Sequence, residues 1–168
     1  MQIEDYINEL IKKKWIYDPM DKQDYNLENI ADGKLKNIDI SYILFLKKFN
    51  KLTNKEETVW FNSLIDYSNL GTDKSAFLWN DFEVDSLECA EDDEERNEIV
   101  KFWKKYLPFL ISVKNGYSYL GIGIKGANIG KIVYGREPEY EEIEVIANSF
   151  EEFMELHSSE TAQIKDFI

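Results

Sequence analysis

The chain has one cysteine, Cys89, and one histidine, His157, among 168 residues. A lone cysteine excludes an internal disulfide and any cysteine-based metal cage. A lone histidine leaves a Ser-His-Asp or Cys-His mechanism a single candidate base. His157 falls near a helix C-terminus, where histidines commonly meet the last carbonyls. Cys89 sits in an acidic run, a poor setting for a nucleophile, so a reactive thiol is not expected there. Prolines number 3 and glycines 8. No linker rich in Pro, Gly or Ser and no internal repeat divides the chain, so residues 1–168 are read as one domain. No apolar run reaches transmembrane length, and MQIEDYINELIKKKW reads as an amphipathic helix rather than a signal peptide. The expectation is a cytoplasmic protein with no membrane partner.

What the chain does have is aromatic and acidic. Aromatics make up 14% and apolar residues 43%, too many for disorder despite 32% charged residues. The net charge is −13 and it is uneven. Residues 1–78 carry 13 acids against 11 bases, whereas residues 79–168 carry 20 against 9. An acidic half repels phosphate backbones, which disfavours direct nucleic-acid binding; it suits a basic partner, whose approach it would steer, or serves solubility alone.

Gly121-Ile-Gly123-Ile-Lys-Gly126 matches G-x-G-x-x-G, the spacing of a dinucleotide-binding turn. That turn must come after one strand and open a helix within a parallel βαβ unit. Here the first two glycines alternate within a predicted strand, and KIVYG predicts another strand beyond the GANIG loop. The glycines are therefore read as places where a neighbour approaches the sheet closely, and no cofactor is expected. Upstream, Asn115-Gly116 predicts a two-residue type I′ hairpin turn pairing Val113 with Ser118, Ile111 with Leu120 and Phe109 with Ile122. That register puts Phe109, Ile111, Val113, Leu120, Ile122 and Ile124 on one face and Tyr117, Tyr119, Gly121 and Gly123 on the other.

Helical spacing of Ile3, Tyr6, Ile7, Leu10 and Ile11 predicts a first helix ending near lysines 12–14, with an extended WIYDPM after it. NLENIA predicts a short helical piece closed by Asp32-Gly33. Asp39 is the expected cap of ISYILFLKKFN, whose apolar side is read as Ile40, Ile43, Leu44 and Leu46-Lys47. ETVWFNSLIDY reads as strand or edge structure. IEVIANSFEEFMELH reads as a short β segment entering a helix with Ser149 as N-cap, Glu152 at N3 and an inward stripe of Phe150, Phe153 and Met154.

Asp81, Glu83, Asp85 and Asp92 to Glu95 lack a calcium-loop motif, so no metal site is expected. No catalytic constellation stands out, and an enzyme such as a metal-dependent hydrolase is disfavoured because its residues are missing.

From residue 39 onward the order of motifs resembles the SUKH superfamily: Ser41-Tyr42, Phe45-Leu46, Trp60-Phe61, Leu107-Pro108-Phe109, Asn115-Gly116-Tyr117, Val133-Tyr134 and the closing Ile146-Ala147-Asn148-Ser149-Phe150-Glu151-Glu152-Phe153. The last string is the most specific. Asn37-Ile38-Asp39-Ile40 stands where many members have Leu-Pro, and the acidic segment 83–98 is longer than usual. The resemblance implies an α+β domain, an antiparallel sheet flanked by helices, that works by binding. It implies an immunity protein that neutralises a cognate bacterial toxin by stoichiometric inhibition, such toxins often being nucleases with basic surfaces. The alternative is a regulatory or scaffolding domain with a non-toxin partner, as among the fungal cell-wall-synthesis regulators related to this family.

One or both of two acidic clusters are the expected partner surface, the alternative being a merely solvated face. The first is Asp81, Glu83, Asp85, Glu88, Glu91, Asp92, Asp93, Glu94, Glu95 and Glu98; the second is Glu137, Glu139, Glu141, Glu142 and Glu144. Trp79 and Tyr140 are the expected exposed aromatic anchors, with charge supplying steering and aromatics residence time.

Overall fold

The computed structural model describes residues 1–21, 25–68, 77–161 and 164. Its centre is a sheet of seven strands: β1 (Ile16–Pro19), β2 (Phe49–Thr53), β3 (Val59–Phe61), β4 (Tyr106–Ser112), β5 (Ser118–Gly123), β6 (Ile132–Arg136) and β7 (Glu144–Ala147). The spatial order equals the chain order and every neighbouring pair is antiparallel. Helices α1 (Ile3–Lys12), α2 (Ile40–Leu46), α3 (Leu64–Ser68) and α6 (Phe150–Ser158) contribute to the core on one face. The other face is covered by α4 (Asp81–Cys89) and α5 (Asp93–Trp103). This is an α+β fold, an antiparallel sheet flanked by helices.

Aromatic rings fill the first core. Tyr6, Tyr42, Phe45, Phe61, Phe109, Phe150 and Phe153 are buried and meet one another edge-on or tilted, with Phe61 and Phe109 stacked, and centroids are 5.1–6.4 Å apart in pairs such as Phe45–Phe150 and Tyr6–Phe61. Ser149 caps α6 as its sequence predicts, accepting from the Glu152 amide at 3.1 Å. Glu152 reaches back to the Asn148 amide at 2.5 Å, closing the cap from both sides. Phe150, Phe153 and Met154 point inward.

Several expectations need correction. Asp39 does cap α2, but the helix ends at Leu46, and Phe49 and Asn50 open β2. Its buried side is Tyr42, Ile43, Phe45 and Leu46, while Ile40 and Leu44 are 67% and 47% exposed. The rings of Tyr42 and Phe45 offer more area to bury than Ile40 and Leu44, and packing favours the larger pair. Within ETVWFNSLIDY only Val59–Phe61 is strand, and Leu64–Ser68 is helical. The expected helical piece at NLENIA is displaced to a 3-10 segment, Ile30–Asn37, with Asp32-Gly33 inside it.

The β4–β5 register also differs. Ser112 faces Ser118, Ile111 faces Tyr119 and Leu110 faces Leu120, so the connection is five residues long rather than two. Gly116 has φ +86°, but Asn115 is not left-handed, which excludes the type I′ turn. A one-residue slip moves a strand's side chains to the opposite face. Ile111 and Val113 thus join Tyr119 in the second core, and Leu110 joins Leu120 in the first. A bulge at Phe109 then restores the phase, so Phe109 and Leu110 both face the first core. The Pro108 carbonyl accepts from the Tyr67 hydroxyl at 2.7 Å and the Asn62 amide at 3.1 Å.

Gly121 and Gly123 lie within β5, and β6 comes after the loop, as the sequence predicts. A Cβ on Gly123 would stand 1.9 Å from the Asn128 carbonyl oxygen. The glycine lets the returning loop lie on the strand.

Candidate partner-binding surface

The acidic segment is two helices that enter β4. Asp92 caps α5, accepting from the Glu95 amide at 2.8 Å, and Glu95 in turn accepts from the Glu91 amide at 2.8 Å. Asp93, Glu94 and Glu95 occupy the first turn, where the helix dipole favours negative charge. Part of the cluster therefore holds the helix start as well as facing solvent. Beyond it Ile99, Phe102 and Trp103 recur at helical spacing and turn to the sheet.

The structure brings members of both clusters to one groove of about 600 Å³. Glu91, Glu95 and Glu98 come from the α4–α5 side, and Glu139 and Glu141 from the β6–β7 connection. Between them lie Ile99, Phe102 and Pro138, with Cys89, Lys101 and Lys105 also on the wall. Glu141 is half-buried and its carboxylate accepts from the Trp103 indole N–H at 2.9 Å, which fixes its position. Glu98 pairs with Lys101 at 2.7 Å; the hydrogen bond holds its carboxyl below the usual range, but both side chains are exposed and the pair adds little stability. The apolar floor was missed from the sequence, although the Ile99, Phe102, Trp103 spacing signalled a helix face directly after the acids.

The remaining acids lie apart from this groove. Asp81 accepts from the Leu78 amide at 2.7 Å at the start of α4, and burial pushes its carboxyl up. Glu83 turns toward Lys34, 3.9 Å away. Asp85, Glu88, Asp93 and Glu94 are exposed. Glu137 lines a separate recess with Tyr117 and Arg136, into which Glu139 also reaches.

The two expected anchors are not on the surface. Trp79 is 1% exposed and packs against Tyr67, with ring centroids 5.6 Å apart. Tyr140 is 7% exposed and lies 4.6 Å from Phe82 in the second core. Its hydroxyl is pushed up to about 12, chiefly by burial. Their acidic neighbours suggested exposure, but in both cases the backbone turns the ring inward, where its area is removed from water. Phe102 is the ring that reaches the groove.

His157 is buried in the first core among Tyr6, Trp15, Phe61 and Phe153. Cys89 is an exposed free thiol. Among the described residues no three His, Cys, Asp or Glu side chains converge as metal ligands would, and no helix is long and apolar enough to cross a membrane. The model of the SMI1 / KNR4 family (SUKH-1) matches residues 37–156. No curated protein and no solved structure matches.

Proposed function

The chain belongs to the SMI1 / KNR4 family (SUKH-1), and from that premise we propose that it is an immunity protein. It acts by binding a cognate bacterial toxin, such as a nuclease, as a stoichiometric inhibitor with no chemistry of its own, inside the producing cell. The observation that supports this reading is the groove at which Glu91, Glu95, Glu98, Glu139 and Glu141 surround an apolar floor. A basic active-site rim would be steered there by the field of the acidic half, and Phe102 would supply contact area once water is expelled.

The test is protection. Co-expression with the toxin encoded beside its gene should rescue growth, and the purified pair should form a one-to-one complex. Replacing Glu91, Glu98 and Glu139 with glutamine removes charge without touching the α5 cap. This triple variant should associate at least about tenfold more slowly at low salt and show a weaker salt dependence. Full protection with an unchanged association rate would exclude this groove as the interface. Absence of any complex with the neighbouring toxin would favour a regulatory partner instead.

A further inference from the structure

Ala31, Asp32 and Gly33 are three consecutive left-handed residues, with φ of 51°, 55° and 74°. Left-handed geometry is rarely adopted by residues with a Cβ, and a buried alanine held there marks a constraint imposed by its surroundings. The turn delivers the chain to Lys34, whose side chain is only 11% exposed. Its ammonium lies 5.2 Å from the centre of the buried Trp79 ring. Among the described residues its nearest acceptors are the Tyr106 carbonyl at 3.5 Å and Glu83 at 3.9 Å. A charge-assisted hydrogen bond from an ammonium runs about 2.7–2.9 Å. Lys34 thus gives up much of its hydration and receives no contact of that quality in return. Burial pulls its pKa down and pushes that of Glu83 up, both signs of incomplete pairing.

Lys34 lines a recess of about 340 Å³ to which α5 contributes Val100 and Lys104. Lys104, at the C-terminal cap of α5, and Lys125, before the 3-10 turn Gly126–Asn128, share the recess with Lys34. Three lysines there outnumber the two acids, Asp32 and Glu83, on a protein of net charge −13. We propose that this recess binds a small oxyanion, a carboxylate or phosphate group, which accepts hydrogen bonds from Lys34 and is held at its outer side by Lys104 and Lys125. An ammonium has three donors, and the Tyr106 carbonyl and Glu83 stand at the outer limit of hydrogen-bond and ion-pair reach, so a small oxyanion in the recess would complete its coordination. A ligand contact explains a lysine placed by a strained turn.

The test titrates the full chain with inorganic phosphate and with acetate, at ionic strength held constant with chloride, by calorimetry and by melting temperature. Saturable binding of at least one anion is expected, weakened at least about tenfold in Lys34→Met, as expected for a lost charge-assisted contact. Lys36→Met, an exposed lysine of the same segment outside the recess, should bind like the wild type. Lys104→Gln with Lys125→Gln alters only exposed side chains and should weaken binding severalfold while leaving the fold intact. In chloride buffer without phosphate or acetate, Lys34→Met should still melt in a single cooperative transition, which separates lost binding from lost fold. A peptide with a free C-terminal carboxylate, compared with its amide, tells a chain end from a free anion as the source. Absence of saturable binding by the wild type, or equal binding by Lys34→Met or by the double variant, overturns the proposal.

Discussion

Acidification should loosen this protein through one residue. His157 is 7% exposed, and its Nδ1 lies 2.5 Å from the hydroxyl of Tyr6, which has no exposure at all. Burial drives the tyrosine strongly toward its neutral form, so the phenol donates and the imidazole accepts as a neutral ring. Burial, reinforced by the charge of Lys13, lowers the histidine pKa from 6.5 to about 3, with Glu160 opposing weakly. The unfolded chain therefore takes up the proton first. The stabilisation is complete above about pH 6.5, shrinks as pH falls below that value, and is lost by about pH 3, where the folded protein is itself protonated. Within that window each pH unit is worth about 1.4 kcal/mol. Between pH 7 and pH 5 the loss from this residue is about 2 kcal/mol, a large share of the stability of a typical domain. Asp66, Asp81 and Glu83, whose carboxyls are raised by burial, work in the opposite sense. The effect must therefore be read as a difference. His157→Gln keeps an acceptor for Tyr6 and cannot titrate. Urea denaturation monitored by tryptophan fluorescence at pH 7, 6 and 5 should show the wild type losing about 2 kcal/mol more than the variant. Parallel profiles would mean that His157 exchanges protons in the fold as it does in the open chain, and the argument would fail.

Local geometry sets two further outcomes. Asp92→Ala removes the side-chain acceptor at the start of α5 and should cost about 1 kcal/mol in denaturant midpoint measurements, as Ser149→Ala should at α6; Asp92→Asn, which still caps, should cost far less. Gly123→Ala places a methyl against the Asn128 backbone and should destabilise by at least about 1–3 kcal/mol, and a melting temperature equal to the wild type would show that the loop gives way freely.

The features legible in the sequence were those whose causes are local. The Ser149 cap depends on residues within four positions of it, and the alternation of Leu120, Ile122 and Ile124 with Tyr119, Gly121 and Gly123 marked a strand locally. The β4–β5 register was not legible, because the residues flanking the turn are bonded to distant chain: the Val113 amide donates to the Thr58 carbonyl at 2.8 Å and the Tyr117 carbonyl accepts from the Glu137 amide at 2.9 Å. In α2 two apolar stripes share helical spacing, and only the rings contributed by Phe61, Phe109 and Phe150 decide which is buried. At the candidate surface the acids were legible as a group. Their division into helix caps, buried pairs and groove walls was not, since it depends on the β6–β7 connection folding back onto α5. Trp79 and Tyr140 were misplaced for the same reason: neighbours in sequence are acidic, but neighbours in space are Tyr67 and Phe82.

The sheet is sewn in chain order, yet two of its stitches are long. Between β1 and β2 the chain passes through the 3-10 segment and α2, and between β3 and β4 it passes through α3, α4 and α5. Closing a loop costs entropy that grows only with the logarithm of its length, about 0.6 kcal/mol for each doubling. Once Val59–Phe61 has paired with Leu110–Ser112, extra residues in the longer passage add little to the cost already incurred. The connections on either side of β5 are short and have no such slack. The β3–β4 stitch is where this architecture accepts new chain most cheaply, and it is the stretch that carries the acidic helices.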